Sequence, residues 1–262
     1  MQATVNGVTL HYEEAGQGLP LLLIHGFPLA GSIWRKQLTG LADCCRVIAP
    51  DLRGFGQSQA PETGYSMNVF ADDLVALLDR LAIDRAVFCG MSMGGYVVLN
   101  LLDRYPDRVA GVCFVVTRAG ADDAAGKARR TVLAEEVRKA GAGAAAEAFS
   151  TILFAPQTLV ANPELVAETR ELMLAAPPAG LAGGLLAMRD RPDYSARLGE
   201  FHQPALVIGA ADDMAIPPTE SRLLAEGLES ARFCLVPRAG HMVMLEQPEA
   251  VNQALAEFMA SL

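Results

Sequence analysis

The sequence predicts an α/β protein built on a mostly parallel, twisted sheet flanked by helices, with a helical cap inserted between two sheet strands. Three observations predict it. Short apolar runs at residues 21–24, 46–49, 86–89 and 205–208 are continuous rather than alternating, as strands covered on both faces require. Helical stretches with an apolar stripe separate the first three of these runs, the order that gives parallel crossovers. From about residue 119 to residue 197 the strand signal disappears and Ala-rich helical stretches replace it. The expected division is therefore a core formed by residues 1–118 and 198–262, and a cap formed by residues 119–197.

The elements follow in order. Thr4-Val5-Asn6 and residues 8–13 flank Gly7 and read as an opening hairpin at the edge of the sheet. Over residues 69–81, Phe70, Leu74, Leu77, Leu78 and Leu81 recur at helical spacing, with Asp72, Asp73, Asp79 and Arg80 on the other faces, which gives a crossover helix. A second helical stretch over residues 96–104 leads to the strand run at 109–116. Gly141, Gly143, Pro163, Pro177, Pro178 and Pro192 break the cap into separate helices. The sheet resumes at 205–208 and 232–236, and a helix over 248–259 ends the chain.

The composition suits one compact catalytic domain with an insertion: 262 residues, 52% hydrophobic and 19% charged. A net charge of -9 without a basic stripe argues against nucleic acid as a partner. No apolar run reaches membrane-spanning length and the first residues lack the basic start and apolar stretch of a signal peptide, so a cytoplasmic location is expected. The five cysteines are odd in number and irregularly spaced, the pattern of buried free thiols. No metal-ligand cluster is evident and no cofactor is expected.

Gly90-Met91-Ser92-Met93-Gly94-Gly95 lies between a strand run and a helical stretch. A serine on so sharp a strand-to-helix turn needs glycine at its flanks and projects its hydroxyl above the sheet. The helix N-terminus beneath it favours developing negative charge. A Gly-rich turn of this kind can also bind phosphate, but the Lys-Ser/Thr ending and the second glycine set of phosphate loops are missing. Ser92 is therefore the candidate nucleophile. His25-Gly26-Phe27-Pro28 follows another strand run and reaches the same edge of the sheet. The oxyanion donors expected there are the backbone N–H groups of Met93 and Phe27.

A serine hydroxyl needs a base to take its proton and an acid to hold that base in one tautomer. Of the four histidines, His11 lies in the hairpin, His25 reads as a structural residue of its loop, and His202 lies in a polar stretch before Pro204. His241 follows the last strand run, in Arg238-Ala239-Gly240-His241-Met242, and is the candidate base. The acid should follow the preceding strand, where Asp212 and Asp213 are adjacent. Either gives the chain order Ser, Asp, His.

Taken together, these segments resemble the bacterial carboxylesterase and 3-oxoadipate enol-lactonase branch of the α/β-hydrolase fold family, over nearly the whole chain. Residues 25–28 resemble its oxyanion loop, Asp51-Leu52-Arg53-Gly54-Phe55-Gly56-Gln57-Ser58 its strand-end turn, residues 90–95 its nucleophile elbow and residues 237–241 its histidine loop. The resemblance implies Asp213 as the acid, because spacing from both Pro204 and Pro217 selects it. Ala210 stands where the family usually has glycine, and Met91 where many esterases carry histidine. Asp51 and Arg53 are expected to hold their turn.

The activity implied is hydrolysis of a small-molecule carboxylic ester through an acyl-enzyme on Ser92. The same triad serves an enol-lactonase or a cofactor-free perhydrolase, and a non-catalytic binding protein of the same fold is the alternative of a different class. A carboxylate-bearing substrate would call on a cap arginine such as Arg189 or Arg191, though both read as solvated. Phe149, Phe154, Leu159, Met173 and Met188 either line an acyl site or pack helices together, and packing is the simpler expectation.

Overall fold

In the computed structural model, which describes residues 1–262, the chain opens with the expected hairpin. β1 (Gln2–Val5) and β2 (Val8–Ala15) pair antiparallel with Val5 opposite Val8. Asn6 and Gly7 form the turn, at φ 45° and 78°, the left-handed pair whose twist matches that of the flanking strands. Asn6 is thus a turn residue and not the end of the first strand.

β3 (Pro20–Ile24), α1 (Arg35–Gly40), β4 (Arg46–Pro50), α2 (Met67–Arg80), β5 (Ala86–Met91), α3 (Met93–Arg104) and β6 (Val109–Val115) follow. Five helices then intervene: α4 (Ala124–Ala140), α5 (Gly143–Ser150), α6 (Pro156–Ala161), α7 (Pro163–Leu174) and α8 (Pro178–Arg189). β7 (Ala205–Ala210), α9 (Pro218–Gly227), β8 (Ala231–Val236), α10 (Val243–Glu246) and α11 (Pro248–Met259) complete the chain. α2 begins earlier than its apolar spacing suggests, because the Ser66 hydroxyl accepts the Val69 N–H at 3.1 Å and caps the first turn.

The eight strands form one sheet in the order β1-β2-β4-β3-β5-β6-β7-β8, parallel from β4 to β8. Within β3, Leu22 and Ile24 face one apolar core and Leu21 and Leu23 the other, which is why the run reads as continuously hydrophobic. Each such fully buried leucine contributes about 1.5–3 kcal/mol. The chain places β4 on one side of β3 and β5 on the other. The strand order reverses there, and the crevice that opens at the carboxyl ends of two such strands is where open α/β sheets bind ligands.

The helices between β6 and β7 leave and rejoin the core side by side. Tyr194 N–H donates to Ala119 O at 3.2 Å, and Asp193 Oδ2 accepts the Ala121 N–H at 3.1 Å. Arg191 reinforces the junction, donating to Gly120 O at 2.8 Å and to Asp122 Oδ1 at 2.9 Å while lying over the Tyr96 ring. Arg191 is only 4% exposed, which corrects the reading of it as solvated: its partner Asp122 lies far back in the sequence. Arg189 is half-exposed and pairs with its neighbour Asp190.

Cys45, Cys89 and Cys113 are buried and Cys234 is half-buried, all as free thiols, whereas Cys44 is exposed and departs from the buried pattern. No single helix is long and apolar enough to cross a membrane.

Candidate active site

Ser92 sits between β5 and α3 at φ 52°, ψ −113°, a backbone conformation that costs a non-glycine residue about 1–3 kcal/mol. Neighbouring groups hold it there. Ser92 N–H donates to Val115 O at 3.0 Å, and Ser92 O accepts the Gly95 N–H at 2.9 Å and the Thr117 hydroxyl at 2.8 Å. A Cβ at Gly90 would run into the Gly94 backbone, and one at Gly94 into the Ile24 carbonyl. The glycine pattern is therefore required by backbone contact on both sides of the serine.

The loop after β3 lies directly against this turn, since a Cβ on Gly26 would meet Met91 and Ser92. His25 fixes the loop. Its Nδ1–H donates to Gly26 O at 2.9 Å, and its Nε2 accepts the Leu52 N–H at 3.0 Å. Burial lowers its pKa, so both ring nitrogens are engaged in a neutral, structural imidazole. The Phe27 N–H has no acceptor within the chain, and Met93 opens α3, where an N–H has no carbonyl one turn back to bond. Phe27's ring is buried edge-on between Phe55 and Phe149.

His241 and Asp213, both buried, meet at 2.7 Å between Nδ1 and Oδ2. The other oxygen of Asp213 accepts the Ala215 and Ile216 N–H groups at 2.8 and 2.9 Å, so the carboxylate is fixed on both sides. Asp212 turns away: its Oδ2 takes Gln157 Nε2 at 2.8 Å. The structure thus joins His241 to Asp213 and not to Asp212. With Nδ1 committed to the acid, Nε2 is the ring nitrogen left for proton transfer. No hydrogen bond joins the Ser92 hydroxyl to His241 in this structure, a looseness common before substrate closes such contacts.

The remaining segments singled out by the sequence surround this site. Asp51 accepts the N–H groups of Gly31 at 2.7 Å and Gln57 at 2.9 Å and pairs with His11 at 3.0 Å, while Arg53 grips Asp73 through two nitrogens at 2.5 and 2.7 Å. Both therefore hold the turn after β4. His202 pairs with Glu229 on the surface. Between the inserted helices and the core is a cavity of about 390 Å³, lined by Phe149, Ile152 and Leu185 together with Asp122, Arg118, Arg129 and Arg130. Phe154, Met173 and Met188 are buried packing residues, and Leu159 is exposed.

A family model described as the alpha/beta hydrolase fold matches residues 20–248. The chain belongs to the α/β-hydrolase fold family. This hydrolase-fold chain is similar to a malate-bound thermophilic esterase from Thermogutta terrifontis, with 39% identity, a TM-score of 0.95 and coverage of 99% of this chain and 96% of the other. It is also similar to an enol-lactonase from Burkholderia xenovorans LB400, with 29% identity, a TM-score of 0.92 and coverage of 99% and 100%. 3-oxoadipate enol-lactonase 2 of Acinetobacter baylyi is 30% identical over 258 residues, 98% of this chain and 95% of that protein. The likeness extends over the inserted helices as well as the sheet, and supports hydrolysis as the class of chemistry.

Two contributions to the hydrolase site were not read from the sequence. Thr117, at the exit of β6, supports the Ser92 turn by donating its hydroxyl to Ser92 O. Glu246 joins the histidine loop to the inserted helices: Oε1 accepts the Gly240 N–H at 2.8 Å, and Oε2 accepts the Ala155 N–H at 3.0 Å and the Thr158 hydroxyl at 2.5 Å. Burial raises the Glu246 pKa against these hydrogen bonds. Its only sequence signal is a carboxylate closing the apolar run Met242-Val243-Met244-Leu245.

Proposed function

We propose that the chain is a serine hydrolase that cleaves carboxylic esters of small molecules through an acyl-enzyme on Ser92, with His241 as base and Asp213 as its acid partner. The observation that carries this reading is the buried His241–Asp213 hydrogen bond at 2.7 Å, on the same sheet edge as a serine held at φ 52°. His241 Nε2 takes the Ser92 proton as the oxygen adds to the ester carbonyl, and Asp213 stabilises the imidazolium. The N–H groups of Phe27 and Met93 receive the oxyanion. The leaving alcohol takes the proton from His241, and a water deprotonated by the same ring then releases the acid. Residues 119–197 act as the cap over this site, and residues 1–118 and 198–262 as the core.

The test is hydrolysis of p-nitrophenyl acetate by Ser92→Ala, together with mass-spectrometric mapping of a fluorophosphonate adduct. The expected result is loss of turnover by at least about a thousandfold and an adduct on Ser92 in the parent protein. Unchanged turnover in the variant rejects the assignment, and an absent adduct favours a non-catalytic binding protein. An enol-lactone substrate is the second reading, favoured by the full-length likeness to two enol-lactonases. Relative rates on lactones and esters separate the two.

A further inference from the structure

We infer that Glu246 is a positioning residue for the base, and that it sets the reach of His241 toward Ser92 from the inserted helices and not from the sheet. This rests on the serine-hydrolase reading above and adds a residue to it. The three proposed catalytic side chains are held in different ways. Ser92 is bonded to Val115 O at the end of β6 and to the Thr117 hydroxyl beyond it. Asp213 takes the N–H groups of its own loop, Ala215 and Ile216. The residues on either side of His241 are tied to the insertion instead.

Gly240 N–H donates to Glu246 Oε1 at 2.8 Å, and the other oxygen of that carboxylate accepts the Ala155 N–H at 3.0 Å and the Thr158 hydroxyl at 2.5 Å. Met242 N–H donates straight to Leu153 O at 2.9 Å. At Gly240 the two segments are in backbone contact, since a Cβ there would fall on Phe154 and Ala155. Residues 153–158, which run from the end of α5 into the first turn of α6, thus grip the histidine loop before and after the base. Leu153, Phe154 and Ala155 are buried, as are all the loop residues from Ala239 to Met242, so most of this junction is closed to water.

A carboxylate is the group such a junction calls for. It offers acceptors alone, with room for all three donors, and its charge shortens and strengthens each bond. No arginine, lysine or histidine is among the groups that hold Glu246, so it does not fasten the insertion as half of an ion pair, as Asp122 does. Its oxygens divide the task, Oε1 facing the base loop and Oε2 the insertion. Without them the Gly240 N–H loses its acceptor, and the loop keeps only the Met242 bond to the inserted segment. His241 Nε2 lies at the far end of the ring from the backbone, so a small rotation of the loop displaces it, and a shift of about 1 Å costs about 10²-fold in rate. Gln157, on the same segment, meets only the Asp212 side chain at the surface. The coupling therefore runs through Glu246.

The experiment measures kcat and KM on p-nitrophenyl acetate, with kcat taken per Ser92 that a fluorophosphonate labels at completion, so that unfolded chains do not count. Glu246→Ala should lower kcat about 10²-fold while KM stays within about threefold, and should slow the labelling of Ser92 by a similar factor. Glu246→Gln keeps an oxygen for the Gly240 N–H and should recover part of the loss, to about tenfold below the parent. Thr158→Val removes one donor on the insertion side and leaves the histidine loop untouched; it should lower kcat about fivefold. Asp122→Asn loosens the insertion away from that loop and should leave kcat within about twofold. A loss expressed in KM and not in kcat, or an equal loss of kcat in Asp122→Asn, overturns the positioning role. So does a kcat within about twofold of the parent in both Glu246→Gln and Thr158→Val, an outcome that decides the matter even where Glu246→Ala does not fold. If the parent cleaves the ester and takes the label on Ser92, only the role of Glu246 is at stake; if it does neither, the hydrolase reading falls and this role with it.

Discussion

Glycines in two parts of the chain stand in different company. At the carboxyl edge of the sheet, a Cβ on Gly90 would run into the Gly94 backbone and one on Gly94 into the Ile24 carbonyl, whereas Gly141, at the end of α4, and Gly143, at the start of α5, have nothing within 4 Å of the place a Cβ would take. The candidate catalytic edge is set at Gly90 and Gly94 by backbone against backbone. The junction of α4 and α5 uses glycine only to interrupt a helix, and the insertion is anchored instead by charges, with Asp122 at the hub and Glu246 at the histidine loop. Function demands fixed geometry in the first region. The second can vary its contacts while the first stays put.

The largest effect should come from the carboxylate that orients the base. Asp213→Asn is expected to lower kcat by about 10³–10⁴, because an amide nitrogen opposite His241 Nδ1 favours the wrong tautomer, whereas Asp212→Asn should change it less than about threefold, since that residue only meets Gln157. Steady-state assays on one ester decide between them, and comparable losses in both variants would remove the distinction. Gly94→Ala should destabilise the core by about 3 kcal/mol or prevent folding, while Gly143→Ala, in a helical turn with open space where the Cβ would go, should change stability by less than about 1 kcal/mol. Chemical denaturation measures both, and equal costs would contradict the contrast drawn above.

A smaller effect, about 2 kcal/mol, is expected from Asp122→Asn, confined to the inserted helices and visible as faster amide exchange in α4 and α8. Burial pushes the Asp122 pKa up, but hydrogen bonds from Arg191 and Arg130 and their charges outweigh it and hold the carboxyl well below the usual aspartate range. A depressed folded-state pKa means the group stabilises the fold fully above its unfolded value and loses that contribution as pH falls through the folded one. The difference between parent and Asp122→Asn should therefore be largest near neutrality and shrink in acid. A difference that grows on acidification would reverse the sign of the argument.

The geometry of the candidate catalytic edge was legible in the sequence because each of its positions accepts few residue types. A strand, a Gly-x-Ser-x-Gly turn and a histidine after the last strand identify their own places, and the structure puts His241 against Asp213. What the sequence hid depends on contacts between distant residues. Arg191 reads as a surface cation until Asp122, on the other side of the insertion, is placed beside it. Glu246 reads as the polar end of a short helix until Gly240, Ala155 and Thr158 all turn hydrogen-bond donors toward it. Arg129 and Arg130 are adjacent basic residues on a helix, a pattern that ordinarily faces water, yet Arg130 turns to Asp122 while Arg129 stays exposed.

The junction at Ala119 and Tyr194 has a consequence for descent as well as for stability. The two crossings of the insertion are hydrogen-bonded to each other, so everything between them leaves the sheet through a single doorway and returns by it. Such a segment can be lengthened, shortened or exchanged for a relative's without rethreading a strand. On the proposed reading, a chimera cut there should carry its donor's substrate preference onto an unchanged Ser92, Asp213 and His241.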